Sequence, residues 1–170
     1  FGASLDKIKQ VVDVRDGEIM FGLNMVVHKG KTIFVGDTSV HEYPTSEQMA
    51  EIAISTARVV RLFGFDPKVA FVSHSTFGQP LTSRTKHIRN AVDILKEKKV
   101  DFEFDGDMQP DVALNPEYKD LYPFSKIVGK ANILIMPGQH SAAISYKMMK
   151  TLGDTKVIGP LLIGLGLPIE

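Results

Sequence analysis

The sequence predicts an α/β domain built on a mainly parallel, mixed sheet sandwiched between helices. Short apolar runs alternate with amphipathic helical stretches along the chain, which is the pattern of a sheet covered on both faces. The runs at 69–73 and 131–136 lack the polar/apolar alternation of a half-exposed strand, as buried parallel strands do. A hairpin near the start adds an antiparallel part.

In chain order, residues 4–12 are expected to form a short helix, and Arg15-Asp16-Gly17 a turn. Stretches 19–27 and 32–35 are rich in β-branched and aromatic residues, and His28-Lys29-Gly30-Lys31 between them makes the hairpin. Gly36-Asp37-Thr38 closes its second strand with an acid after a glycine. Residues 44–64 read as the clearest helix. Thr45 and Gln48 have capping-box spacing, Glu47 puts negative charge in the first turn, and Gly64 stops the helix. Met49, Ile52, Ala53, Thr56, Val60 and Phe63 fall at helical spacing and form a core stripe.

The buried strand at 69–73 empties into Ser73-His74-Ser75-Thr76-Phe77-Gly78, a hydroxyl-rich loop. A basic amphipathic helix follows at 83–98, with Ile88, Ala91, Val92 and Leu95 facing inward. In the next strand Val100, Phe102 and Phe104 alternate with Asp101 and Glu103. It is expected to stop at Asp105-Gly106-Asp107, where glycine tolerates turn geometry. Pro110 and Asp111 then start a short helix to Asn115, and a loop runs through Tyr122-Pro123. After the strand at 131–136, Pro137-Gly138-Gln139-His140-Ser141-Ala142 opens a helix through Leu152. An apolar strand at 157–167, interrupted by Gly159-Pro160 and punctuated by Gly164 and Gly166, ends the chain.

The totals narrow the function classes. The 170 residues fit one domain, taken as 1–170, and 44% hydrophobic with 24% charged residues is ordinary for a globular protein. Lys plus Arg equals Asp plus Glu at 20 each, so no net charge draws the chain to nucleic acid or to a membrane surface. No apolar run approaches the ~20 residues of a membrane helix. The absence of cysteine excludes disulfides, thiolate metal sites and a cysteine nucleophile, and fits a cytoplasmic protein. Phe1 at the start and the lack of a signal-like segment lead to the expectation that the chain is a piece of something longer.

Three strand ends carry the groups suited to chemistry. One offers Ser73, Ser75, Thr76 and Gly78, the second Asp105, Gly106 and Asp107, the third Gly138, His140 and Ser141. Carboxyl ends of parallel strands are where α/β sheets bind ligands, and hydroxyls with free N–H groups at helix starts suit phosphates. Arg84, with Lys86 and Arg89 behind it, supplies charge for an anion. Ser75, Thr76, Arg84, Asp105, Asp107, His140 and Ser141 are the candidate ligand residues. No catalytic residue is assigned. There is no G-x-S-x-G elbow, no H-x-x-x-H metal pair and no G-x-G-x-x-G dinucleotide fingerprint, so no metal or cofactor is expected in this domain.

Read together, several motifs resemble the phosphate acetyl/butyryl transferase (phosphotransacetylase) family. They are PTSEQMAEIAISTA at 44–57, VAFVSHSTFG at 69–78, DGDMQPDVALNP at 105–116, ANILIMP at 131–137 and ISYKMMKTLGDTKVIGPLLIGLGLP at 144–168, in the family's order. FGLNMVVHKGKTIFVGDT, Met136-Pro137-x-x-His140-Ser141 and the lead-in at 100–103 are similar to the carboxy-terminal domain of large bacterial NADP-dependent malic enzymes. The resemblance implies a three-layer sheet like those of phosphotransacetylases and the isocitrate–isopropylmalate dehydrogenases. True transferases continue into an Asn-Asp-Leu-Ser-Arg-Gly segment with a catalytic serine and arginine. This chain ends at Leu167-Pro168-Ile169-Glu170, short of that segment and of the family's last strand and helix, and has Thr151 where transferases carry arginine.

The malic-enzyme branch therefore implies a regulatory and oligomerisation domain that binds acetyl-CoA as an inhibitor of malate oxidation. Its partners would be the amino-terminal domains of the same chain and further copies in a homo-oligomer. The malate, NADP and divalent-metal sites would lie in those other domains. The alternatives are a fragment of a phosphate acetyltransferase and an assembly module without ligand.

Overall fold

The computed structural model describes residues 7–8 and 12–166. The helix expected over 4–12 lies largely outside the described residues, and the turn at Arg15-Asp16-Gly17 is present, with Glu18 N–H donating to Arg15 O at 2.9 Å. The elements are β1 (Phe21–His28), β2 (Lys31–Gly36), α1 (Ser46–Leu62), β3 (Lys68–Val72), α2 (Ser83–Glu97), β4 (Glu103–Met108), α3 (Pro110–Leu114), a 3₁₀ turn (Pro116–Leu121), β5 (Ile133–Ile135), α4 (Gln139–Leu152) and β6 (Thr155–Ile163).

One six-stranded sheet has the order β4-β3-β5-β2-β1-β6. β4, β3, β5 and β2 pair in parallel, while β1 runs antiparallel to both β2 and β6. The hairpin expected near the start is β1–β2, with His28 opposite Lys31. Alternation of side chains builds two cores from the same strands. Phe34, Val69, Phe71, Ile133 and Ile135 face α1 and α2. Val35, Ala70, Val72 and Leu134 face the other way, against Ala113 of α3 and Ala142, Tyr146 and Met149 of α4. Because both faces are covered, β3 from Val69, β5, and β2 from Ile33 to Val35 read as unbroken apolar runs.

The crossovers place the ligand end. From β3 the chain passes through α2 to β4 on one side, and from β5 through α4 to β6 on the other. The carboxyl ends of neighbouring β3 and β5 therefore flank a topological switch point, where open α/β sheets leave a crevice.

Several expectations need correction. Phe63, expected in the core stripe, caps the end of α1 and is 48% exposed, and the last strand, expected over 157–167 and interrupted at Gly159-Pro160, runs Thr155–Ile163 through both residues. The strand expected over 100–104 begins at Glu103 and continues through Asp105, Gly106 and Asp107 to Met108, so these three are strand residues. Gly106 is needed there for a close approach: at φ +150° a Cβ would stand 2.7 Å from Phe71 O and 2.8 Å from Phe71 Cβ on β3. The loop expected beyond Asn115 begins as a 3₁₀ turn at Pro116.

Candidate functional site

At the switch point lies an open cleft of about 390 Å³ lined by Tyr43, Pro44, Thr45, Ser83, Arg84, His87, Ile88 and Pro137. Its walls come from the starts of two long helices and the end of β5. Thr45 caps α1 reciprocally with Gln48, the hydroxyl accepting from Gln48 N–H at 3.1 Å and the Gln48 side chain accepting from Thr45 N–H at 2.8 Å. Thr82 caps α2 with Thr85 in the same way. The inward stripe Ile88, Ala91, Val92 and Leu95 continues one turn back to Arg84 and His87, because residues four apart share a helix face. Where the core ends, that stripe emerges into the cleft. Among the residues lining it, Arg84 carries the one permanent charge. Hydroxyls and helix starts surround it, with Pro44, Ile88 and Pro137 as apolar wall. Such a lining suits an amphiphilic anion.

His87 locks the two helices together. Its Nε2 lies 2.8 Å from Pro44 O and its Nδ1 3.0 Å from Ser46 Oγ, and the Ser46 hydroxyl donates to His87 O at 2.8 Å. Glu47, exposed on the first turn of α1, is held below its usual carboxyl range chiefly by its own backbone N–H, then by the Thr45 hydroxyl; burial opposes this slightly and His87 adds an attraction.

Loop 37–44, between β2 and α1, forms the adjoining wall. Asp37, only 2% exposed, organises it. Its carboxylate accepts from the N–H groups of Gly22 (2.9 Å), Ser39 (2.8 Å), Val40 (3.1 Å) and His41 (2.7 Å), and pairs with His41 Nδ1 at 2.7 Å. Burial pushes this carboxyl up, but the His41 ring and the backbone donors outweigh it and hold it below the usual carboxylate value. The loop then docks on the start of α4: Gln139 N–H donates to His41 O at 3.1 Å and the Gln139 side chain to Ser39 O at 3.2 Å. A Cβ on Gly138 would run into Glu42 O, so the close approach demands glycine.

Of the seven residues singled out from the sequence, Arg84 alone lines this cleft. Ser75 and Asp107 are fully buried. The Ser75 hydroxyl donates to the Asp107 carboxylate, which also accepts from Gly78 N–H at 3.0 Å, while Asp107 O accepts from Phe77 N–H at 2.7 Å. Thr76 Oγ1 accepts from Gln109 N–H at 3.2 Å. These groups hold loop 73–79 onto the end of β4. Asp105, 8% exposed, accepts from Gly106 N–H at 2.9 Å and from Lys126 N–H at 2.7 Å, and so pins the loop before β5. Both carboxylates, expected at a turn beyond the strand end, are turned toward backbone or hydroxyl donors within the protein. His140 and Ser141 stand exposed on the first turn of α4, with His140 Nε2 3.1 Å from Glu42 Oε1.

Tyr43, Thr45, His87 and Asp37 were not singled out for a ligand role. Arg84 and His87 had a readable signal in the helical stripe, and Gly36-Asp37 repeats the Gly106-Asp107 pattern at another strand end. Among the described residues, no group of three or more His, Asp or Glu side chains stands where it could hold a metal ion. Among them, too, no helix is long and apolar enough to cross a membrane.

The mixed six-stranded sheet flanked by helices matches the fold of solved phosphotransacetylases. The chain belongs to the family described as Phosphate acetyl/butaryl transferase, whose sequence pattern matches residues 2–170. An NADP-dependent malic enzyme of Rhizobium meliloti is 42% identical over 170 residues, all of this chain and 22% of that protein. A phosphate acetyltransferase of Bacillus subtilis is 32% identical over 163 residues, 95% of this chain and 50% of that enzyme. Among solved structures, a phosphotransacetylase from Streptococcus pyogenes matches with a TM-score of 0.90 at 30% identity, over 97% of this chain and 51% of that one. The chain thus spans about a fifth of the length of the malic enzyme and half that of the phosphotransacetylases.

Proposed function

We propose that this domain is a non-catalytic, acetyl-CoA-responsive part of an NADP-dependent malic enzyme. In this reading the parent protein is cytoplasmic and oxidatively decarboxylates malate to pyruvate, with NADP and a divalent metal bound in other domains. The domain lowers that activity when acetyl-CoA is bound and helps to hold subunits in a homo-oligomer. The supporting observation is the cleft itself, which pairs one guanidinium and helix-start hydroxyls with apolar wall, the lining an acyl-CoA calls for. By linkage, an inhibitor must bind the inactive state more tightly than the active one.

Thermal unfolding of the chain with and without acetyl-CoA tests this, with malate as control. A ligand present at about a hundred times its dissociation constant, and bound only to the folded state, adds about 2.7 kcal/mol. For a domain of this size that raises Tm by roughly 5–11 °C. A rise with acetyl-CoA alone is expected; no rise, or an equal rise with malate, overturns the reading.

The half-length match to phosphate acetyltransferases favours a second reading, a piece of an enzyme moving acetyl between CoA and phosphate. Acetyl phosphate formed from acetyl-CoA and phosphate by the chain alone would establish it. The exposed stripe Ile144, Met148 and Leu152 along α4 favours a third, an assembly module without ligand. It predicts no response to acetyl-CoA together with concentration-dependent association.

A further inference from the structure

A second cavity, of about 530 Å³, opens on the flank of α2 opposite the cleft. At ~3.6 residues per turn, Arg84, His87 and Ile88 face the cleft, while Lys86, Arg89, Asn90 and Asp93 lie on the other side of the helix. The loop after β3 supplies the facing wall, chiefly through Phe77 and Leu81. The volume falls within the ~300–1,000 Å³ of small-molecule sites.

Two kinds of chemistry meet there. The first is positive charge. Lys86 and Arg89 are exposed, three apart on one helix face, and neither enters an ion pair among the described residues. Asp93 in the same lining is matched by Lys96 at 2.6 Å, so the charge of Lys86 and Arg89 is left over. Arg89 also rests on the loop: a Cβ on Gly78 would stand 2.7 Å from its Nη1. The second is a fixed aromatic ring. Phe77 is half-buried, with Phe124 edge-on at 4.8 Å between ring centroids and Tyr122 tilted at 5.5 Å. These neighbours hold the ring while part of it lines the cavity. Leu81 stands exposed as an apolar flank beside it, and the amides of Gln79 and Asn90 add donors and acceptors.

A simple anion would use the cations and leave the ring bare. An apolar ligand would cover the ring and leave two cations without a partner. A flat ring joined to phosphate uses both, since bases stack on aromatic side chains and a guanidinium takes phosphate through charge-assisted bonds. We propose that this cavity is a nucleoside-phosphate site separate from the cleft, with the base against Phe77 and Leu81 and the phosphates at Lys86 and Arg89. A helix ~10–12 Å across stands between the two cavities, so a ligand in one does not fill the other. The proposal therefore does not rest on the acetyl-CoA reading.

Isothermal titration of ADP into the chain at low salt tests it, with adenosine and inorganic pyrophosphate as partial ligands. Saturable ADP binding near one site per chain is expected, at least about tenfold tighter than either part alone. Arg89→Ala removes an exposed side chain and should weaken ADP and pyrophosphate about tenfold or more, the worth of one charge-assisted bond, without changing adenosine. Phe77→Leu should weaken ADP and adenosine but not pyrophosphate, whereas a folding defect would lower all three. Absence of saturable ADP binding, or pyrophosphate bound as tightly as ADP, would overturn the proposal. Unchanged ADP affinity in saturating acetyl-CoA is expected and marks a free nucleotide as the occupant. Competition between the two, with both weakened by Arg89→Ala, would assign the cavity to the nucleotide end of an acyl-CoA and overturn the separate site.

Discussion

Replacing Asp107 by alanine separates a scaffold role from a ligand role. The side chain is fully buried and accepts from the Ser75 hydroxyl and from Gly78 N–H. Alanine strands both donors, each costing about 1–3 kcal/mol when left unsatisfied. Ser75 retains a second neighbour, Ser73 Oγ at 3.2 Å, which offsets part of its loss. The net penalty is about 3 kcal/mol, or a fall in Tm of roughly 6–12 °C for a domain of this size. Asparagine is milder. Its carbonyl still accepts from Gly78 N–H, and its amide donates to Ser75 Oγ, freeing the serine hydrogen for Ser73. That change costs about 1 kcal/mol, mainly the charge. Differential scanning calorimetry of the wild type and both variants measures this. An Asp107→Ala protein within 2 °C of wild type (a threshold well inside the ~6 °C minimum expected), or an Asp107→Asn protein as unstable as the alanine variant, would refute the reasoning.

Other expectations follow from the same contacts. Asp37→Asn replaces one carboxylate oxygen with a donor that faces N–H groups, and should cost about 3 kcal/mol. Because Asp37's folded pKa is lowered, its stabilisation is complete above the ordinary carboxylate value and is lost as pH falls through the lower folded one. Tm measured from pH 2.5 to 5 should therefore fall less steeply in the variant than in the wild type (a window set about the usual value near ~3.9). Gly138→Ala drives a methyl into Glu42 O and should lower stability by about 2 kcal/mol, read as a reduced denaturant midpoint.

Much of the architecture could be read from local pattern. Thr45 and Gln48 form the capping box their spacing implies, and the two apolar faces of β2, β3 and β5 explain why those strands look unbroken. The misplaced end of β4 has a tertiary cause. Asp-Gly-Asp carries turn propensity, but loop 73–79 and Lys126 N–H supply donors that make two acids acceptable inside a buried strand. Similarly, β5 is confined to Ile133–Ile135, although the apolar run is longer, because only that segment pairs with both neighbours.

Of the residues the sequence singles out, Arg84 lines the cleft, while the ends of β3 and β4 meet each other through Ser75 and Asp107 and the end of β5 meets loop 37–44 through Gly138. Which residues face the cleft is decided by α1 and α2 meeting through Ser46 and His87, 41 positions apart in sequence. No local pattern encodes that pairing, so the stripe on α2 shows the face that carries His87 but not its partner, and Thr45 shows only as a helix cap. Ser75 and Asp107 were conspicuous as polar groups for the same reason that they are buried: they satisfy one another.

Isothermal titration of acetyl-CoA into the chain bears most directly on the proposed function. Saturable binding near one site per chain is expected, with Arg84→Ala weakening it at least about tenfold, the loss of one charge-assisted bond. Asp107→Asn should bind as tightly as the wild type, because the Asp107 carboxylate is fully buried and does not line the cleft. Absence of saturable heat, or undiminished affinity in Arg84→Ala, would contradict an acyl-CoA seated in this cleft.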